Sequence, residues 1–172
     1  MQGMLDSIIH SPLSEDRFHM ARIQIRLPEQ FAYATAITLY QSHMNYGGHL
    51  DNALLLTVVS EARVRFFKSL GYTELDVEGL GIMVADAALQ YRSEAFQGEV
   101  MVVQMAAADL SSKGFDMVWR MSEQSSQREV ARGKTGIVFY DYTLHKIAAM
   151  PARFLETLAR YTDPSVLPSV SC

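Results

Sequence analysis

Cysteine is almost absent from this 172-residue chain: there is one, Cys172. No intramolecular disulfide can form, which suits a reducing compartment. A strong charge of either sign is also missing. The formal net charge is −4, so the chain offers no broadly basic surface for nucleic acid. No apolar run reaches membrane-spanning length. The start, "MQGMLDSIIHSPLSEDR", lacks the basic segment and long apolar core of a signal peptide. These absences lead to the expectation of a soluble cytoplasmic protein with no membrane and no nucleic acid among its partners. Internal repeats and low-complexity tracts are absent too. His43 and His49 have no third ligand at a metal-site spacing, so no metal is expected.

Apolar residues are abundant, at 49%. A chain of this length and composition can bury a sizeable core as one domain. Residues 1–30 read as an N-terminal extension with a short helix near its start, punctuated by Pro12 and Pro28. The domain proper is expected over 31–161, and 162–172 as a loose C-terminal tail. Within the domain, "FAYATAITLYQ" (31–41) alternates and is β-branched, so it reads as a strand.

Asp51 is a good helix N-cap, and 52–70 contains neither Gly nor Pro. Leu55, Val58, Val59, Ala62, Phe66 and Leu70 recur at spacings of three and four, marking one apolar face. Leu54, Leu56 and Phe67 widen that face. The helix would be roughly 28 Å long, stopping at Gly71. Strands follow over 80–92, 99–110, 114–124 and 128–142, with hairpin turns at 111–114 and 124–127. A short helix is expected over 152–160, behind Pro151. One long helix against one antiparallel sheet is an α+β arrangement. A helix apolar over so much of its circumference requires cover on nearly all sides, which a curved sheet would provide.

The segment before the helix, "NYGGHLDN" (45–52), with "SEAR" (60–63) inside it, resembles the hotdog-fold 4-hydroxybenzoyl-CoA thioesterase-like family. That family's pattern is roughly Asp-x-x-Gly-His-Val-Asn-Asn followed by a helical Glu-x-Ala-Arg or Glu-Ala-Arg. "YRSEAFQGE" (91–99) is similar to its Tyr-Arg-x-Pro-x-x-x-Gly-Asp, and "VARGKTGIVFYD" (130–141) to its closing strand. Such a resemblance implies a long helix wrapped by a curved antiparallel sheet, and an acyl-CoA thioesterase acting at a subunit interface. It also implies a homodimer or homotetramer. Coenzyme A would enter as part of the substrate, with no separate cofactor.

Two positions depart from the pattern. The family's catalytic acid falls at Asn45, and an amide can serve neither as general base nor as carboxylate nucleophile. The proline of the second motif is Glu94. Carried over residue by residue, the oxyanion-binding start of the helix would be Gly47, Gly48 and Asn52, with the Asn52 N–H as donor. The two glycines alternatively do no more than make a turn. His49 either contacts the thioester or ties its loop to a neighbouring carbonyl. Asp51 either replaces the lost base or caps the helix. Asn45 retains the ability to place a water by hydrogen bonding. Glu61, about 15 Å along the helix from Asp51, either lines a shared pocket or pairs with Arg63 or Arg65. Met101, Met105, Met117 and Met121 either line an acyl pocket or fill ordinary core. Arg92, Arg132 and Lys134 are the candidates for coenzyme A phosphates. Alternatives of other classes are a non-catalytic thioester-binding protein and a hydratase or dehydratase.

Overall fold

The structure, a computed structural model, describes residues 22–162. The expected short helix near the start and the loose tail therefore lie outside the described residues, except for residue 162. Strand β1 (Tyr33–Thr38) is followed by a single 3-10 turn (Gln41–His43) and helix α1 (Asn52–Ser69). Then come β2 (Gly81–Tyr91), β3 (Val100–Ala108), β4 (Gly114–Glu123), β5 (Glu129–Asp141), β6 (Lys146–Ile147) and helix α2 (Ala152–Thr162).

The strand order is β1-β3-β4-β5-β2, with β6 paired to β5, and every pairing is antiparallel. Met105 sits opposite Tyr33 on one side and Trp119 on the other, and Trp119 sits opposite Gly133. That register puts Phe115, Met117, Trp119 and Met121 of β4 on one face with Met101, Val103 and Met105 of β3. Helix α1 lays Leu55, Val58, Val59, Ala62, Phe66 and Phe67 against them. The four methionines singled out in the sequence are all buried in this core.

Two expectations need correction. The first strand ends at Thr38, short of Gln41. Beyond it the chain turns, because the Tyr40 N–H donates to Nδ1 of His43 and the Tyr40 carbonyl accepts from the His43 N–H. The helix is also covered less completely than its composition demands. The sheet of this chain buries one face. Ala53, Thr57, Glu61, Val64 and Lys68, at helical spacings of four, four, three and four, form an exposed stripe on α1. The two-residue strand β6 is too short to leave a periodic signal.

At the far end of α1, helix α2 closes the core. Phe154 is fully buried, stacked on Phe67 and Phe115 and set edge-on to Phe139. Among the described residues no helix is long and apolar enough to cross a membrane.

Candidate functional site

The loop 45–50 closes on itself before α1 begins. The Asn45 N–H donates to the His49 carbonyl and the Gly48 N–H to the Asn45 carbonyl. Asn45 Oδ1 accepts from the Gly47 N–H at 2.9 Å and, more weakly, from the His49 N–H at 3.4 Å. Glycine is demanded by the backbone at position 48 and favoured by close neighbours at position 47. Gly48 has φ +80, a conformation that side-chain-bearing residues rarely adopt. A Cβ on Gly47 would lie 3.1 Å from Nε2 of His49 and 3.2 Å from Oδ1 of Asn45. Both glycines thus serve the turn, and through it the placement of His49.

Because Oδ1 of Asn45 faces the Gly47 N–H, its Nδ2 faces the imidazole, 3.3 Å from Nδ1. An amide NH2 only donates. The same Nδ2 lies 3.5 Å from Nε2, so the amide sets a donor beside both ring nitrogens. With its proton on Nδ1 the ring would donate to the Leu50 carbonyl, also at 3.3 Å.

Asp51 caps α1: Oδ1 accepts from Ala53 N at 2.8 Å and Leu54 N at 3.3 Å. Its backbone N–H goes to the His43 carbonyl and its carbonyl accepts from Leu55. The N–H of Leu50 goes to the Ala95 carbonyl. Of the first N–H groups of α1, that of Asn52 alone is left without an acceptor among the described residues. Asn52 lines a cavity of about 240 Å³ together with His49, Leu50, Leu55, Tyr91, Arg92, Ser93, Glu94 and Val130. An unspent N–H at a helix N-terminus is suited to an oxygen carrying negative charge.

The opposite wall comes from the end of β2 and the segment that follows it. Tyr91 donates its hydroxyl to the Asn52 carbonyl at 3.0 Å, fastening β2 to the start of α1. Oε1 of Glu94 lies 4.0 Å from Nε2 of His49. The backbone around Glu94 is pinned by Arg128, whose guanidinium donates to Ser93 Oγ, the Glu94 carbonyl and Oε1 of Glu99. Sequence reading noted Glu94 only as a departure from a proline. Its approach to His49, 45 positions away, depends on tertiary structure.

The remaining predicted residues lie elsewhere. Glu61 pairs with Arg65 at 2.7 Å, and Arg65 reaches Thr35 and the Ala36 carbonyl on β1. Arg63 pairs with Glu74. Arg132 makes a two-pronged contact with Glu129, holding that carboxyl below the usual carboxylate range and raising its own pKa. Lys134 is bonded to Asp116, which raises the lysine pKa. Arg92 alone of the three proposed phosphate-binding cations lines the cavity. It is half exposed and 3.9 Å from Glu129. Among the described residues no group of His, Cys, Asp and Glu converges as a metal site.

Comparison with curated proteins returns no significant match. Among solved structures, a 1,4-dihydroxy-2-naphthoyl-CoA thioesterase from Synechocystis superposes with a TM-score of 0.68 at 17% identity, over 74% of this chain and 95% of that one. A hypothetical protein from Staphylococcus aureus, determined in complex with CoA, gives 0.70 at 16% identity, over 87% and 93%. A gentisyl-coenzyme A thioesterase gives 0.66 at 16%, over 73% and 99%. At such identities the likeness speaks to the fold. The sequence profile of the thioesterase-like superfamily matches residues 40–158, from just before the 3-10 turn into α2. The chain belongs to the thioesterase-like superfamily and has its hotdog fold.

Proposed function

We propose that the protein hydrolyses an acyl- or aroyl-CoA thioester in the cavity at the N-terminus of α1. The observation that carries this reading is the Asn52 N–H, the donor left over after the loop and the Asp51 cap have used their neighbours. A thioester carbonyl pointed at it would develop negative charge opposite a fixed donor, the arrangement that lowers the barrier to acyl transfer. Gly47 and Gly48 make the turn that sets His49 at the border of the same space. Arg92 at the rim is the cation placed to meet a coenzyme A phosphate. Arg132 and Lys134 are committed to Glu129 and Asp116.

The working form is a homodimer, or a tetramer built from it. Two features support that. The stripe on α1 includes Ala53 and Val64 exposed to solvent, and β2 is an edge strand among the described residues, with Met83 and Val84 exposed. A second copy covering both would close the open side of the cavity. The setting is expected to be the cytoplasm.

The test is thiol release from a panel of acetyl-, hexanoyl-, palmitoyl- and benzoyl-CoA, with oligomeric state measured by sedimentation. Turnover of at least one member well above the uncatalysed rate supports the reading. One observation favours a second reading: Asn45 stands where the family resemblance calls for an acid. Binding of thioesters without turnover would make this a non-catalytic thioester-binding protein. Hydration of an enoyl-CoA without thiol release would make it a hydratase.

A further inference from the structure

We infer that Glu94 is the general base of this site, a carboxylate supplied from the β2–β3 connection in place of the one missing at Asn45. The inference rests on the thioesterase reading above and assigns the residue that activates water within it. The other carboxylates near the helix start are committed. Asp51 is spent on the Ala53 and Leu54 N–H groups, and Glu61 is held by Arg65 on the β1 side of the helix. Glu94 differs from both. It lines the cavity with His49 and Asn52, and its carboxylate accepts no hydrogen bond from the described residues.

Its backbone, by contrast, is immobilised. Arg128 binds the Glu94 carbonyl and Ser93 Oγ, the Ser93 hydroxyl donates to the Glu129 carbonyl, and the Ala95 carbonyl accepts from Leu50. A fixed backbone carrying an uncommitted carboxylate is how a base is aimed without being used up in structure. Across the cavity Nε2 of His49 lies 4.0 Å from Oε1 of Glu94, and with its proton on Nε2 the ring would turn an N–H toward that carboxylate. His49 is thus a positioning residue for the carboxylate. The titratable side chains lining the cavity are His49, Tyr91, Arg92 and Glu94.

The step balances with water as the only co-reactant. Glu94 takes a proton from a water while the water oxygen bonds to the thioester carbonyl carbon, and the carbonyl electron pair moves onto oxygen opposite the Asn52 N–H. When the carbonyl re-forms, the carbon–sulfur bond breaks. The proton on Glu94 passes to the departing sulfur, leaving a carboxylic acid and a thiol.

The test compares the unmodified chain with Glu94→Gln and Glu94→Asp, using the member of the acyl-CoA panel that the unmodified chain hydrolyses fastest. Glu94→Gln is expected to lower kcat about 100-fold or more, with KM changed by less than about threefold, and to remove the acid limb of the kcat profile. Glu94→Asp should lose about tenfold while keeping that limb, since the shorter acid is a misplaced base. A Glu94→Gln protein within about threefold of the parent in kcat would overturn the assignment and leave the thioesterase reading standing. Should Glu94→Gln fail to fold, Glu94→Asp decides, and parental kcat in that variant overturns the assignment. If the unmodified chain hydrolyses none of the panel, the thioesterase reading and the assignment of Glu94 fall together.

Discussion

Nδ2 of Asn45 stands 3.3 Å from Nδ1 of His49, with its orientation set by the Gly47 N–H on the other side of the amide. The same Nδ2 lies 3.5 Å from Nε2, so Asn45 places a donor beside both nitrogens of the imidazole. Asn45→Asp would keep the acceptor for Gly47 and replace the donor facing the imidazole with a second acceptor. The ring nitrogen facing the new oxygen should then carry the proton. Nitrogen-15 chemical shifts of the ring report the position of the proton directly, and identical ring signatures in both proteins would refute the account. Asn45→Ala removes the turn's side-chain acceptor and should cost about 1 kcal/mol in chemical denaturation.

Asp51 is engaged as a cap. Replacing it with alanine strands the Ala53 and Leu54 N–H groups and should lower stability by about 1 kcal/mol. Asp51→Asn keeps an acceptor and should leave both the melting temperature and thioester turnover close to those of the parent. A loss of turnover by orders of magnitude in Asp51→Asn, with stability unchanged, would instead mark Asp51 as the base.

Acid sensitivity has a specific origin in the β4–β5 turn. The Glu123 carboxylate accepts hydrogen bonds from the N–H and hydroxyl groups of Ser125 and Ser126, which pull its pKa down to about 2 from the ordinary 4.5. The lowered folded-state pKa means that the unfolded chain takes up this proton first as pH falls. The associated stability is fully present above pH 4.5 and disappears as pH falls towards 2. Denaturation midpoints measured between pH 6 and pH 2.5 should therefore fall less steeply for Glu123→Gln than for the parent. Parallel curves would show that Glu123 does not contribute to the slope.

Phe154 anchors α2 to the core through Phe67, Phe115 and Phe139. Its removal leaves a cavity lined by aromatic faces, so Phe154→Ala should cost about 4 kcal/mol. Urea denaturation measures the loss, and amide exchange should show 152–162 exchanging earliest. A cost below about 1 kcal/mol would mean that the neighbouring rings collapse into the space.

Helix α1 was legible because its signals are local: an aspartate cap, no breakers over eighteen residues, and apolar positions at helical spacing. Strands β2 to β5 were legible for the same reason, as apolar runs bounded by turn-forming segments. Neighbour relations were not. Nothing in the order of residues places β1 beside β3 or leaves β2 at an edge, since pairing partners are chosen by the whole sheet. The site divides in the same way. The glycines, His49, Asp51 and Asn52 belong to one continuous segment. Glu94 reaches His49 only when the end of β2 is folded against the start of α1, and the replacement of a family proline at 94 was its one local trace. Lys134 and Arg132 looked available in the sequence because their partners, Asp116 on β4 and Glu129 at the start of β5, are revealed only by folding.

Arg128 never lines the cavity, yet it ties Ser93, Glu94 and Glu99 together from the beginning of the β4–β5 return. One wall of the cavity is consequently held from a surface hairpin outside it. A change at 124–128 would reach the β2–β3 segment through a single guanidinium, so the hairpin and the helix mouth are mechanically one unit although no residue of the hairpin borders the cavity.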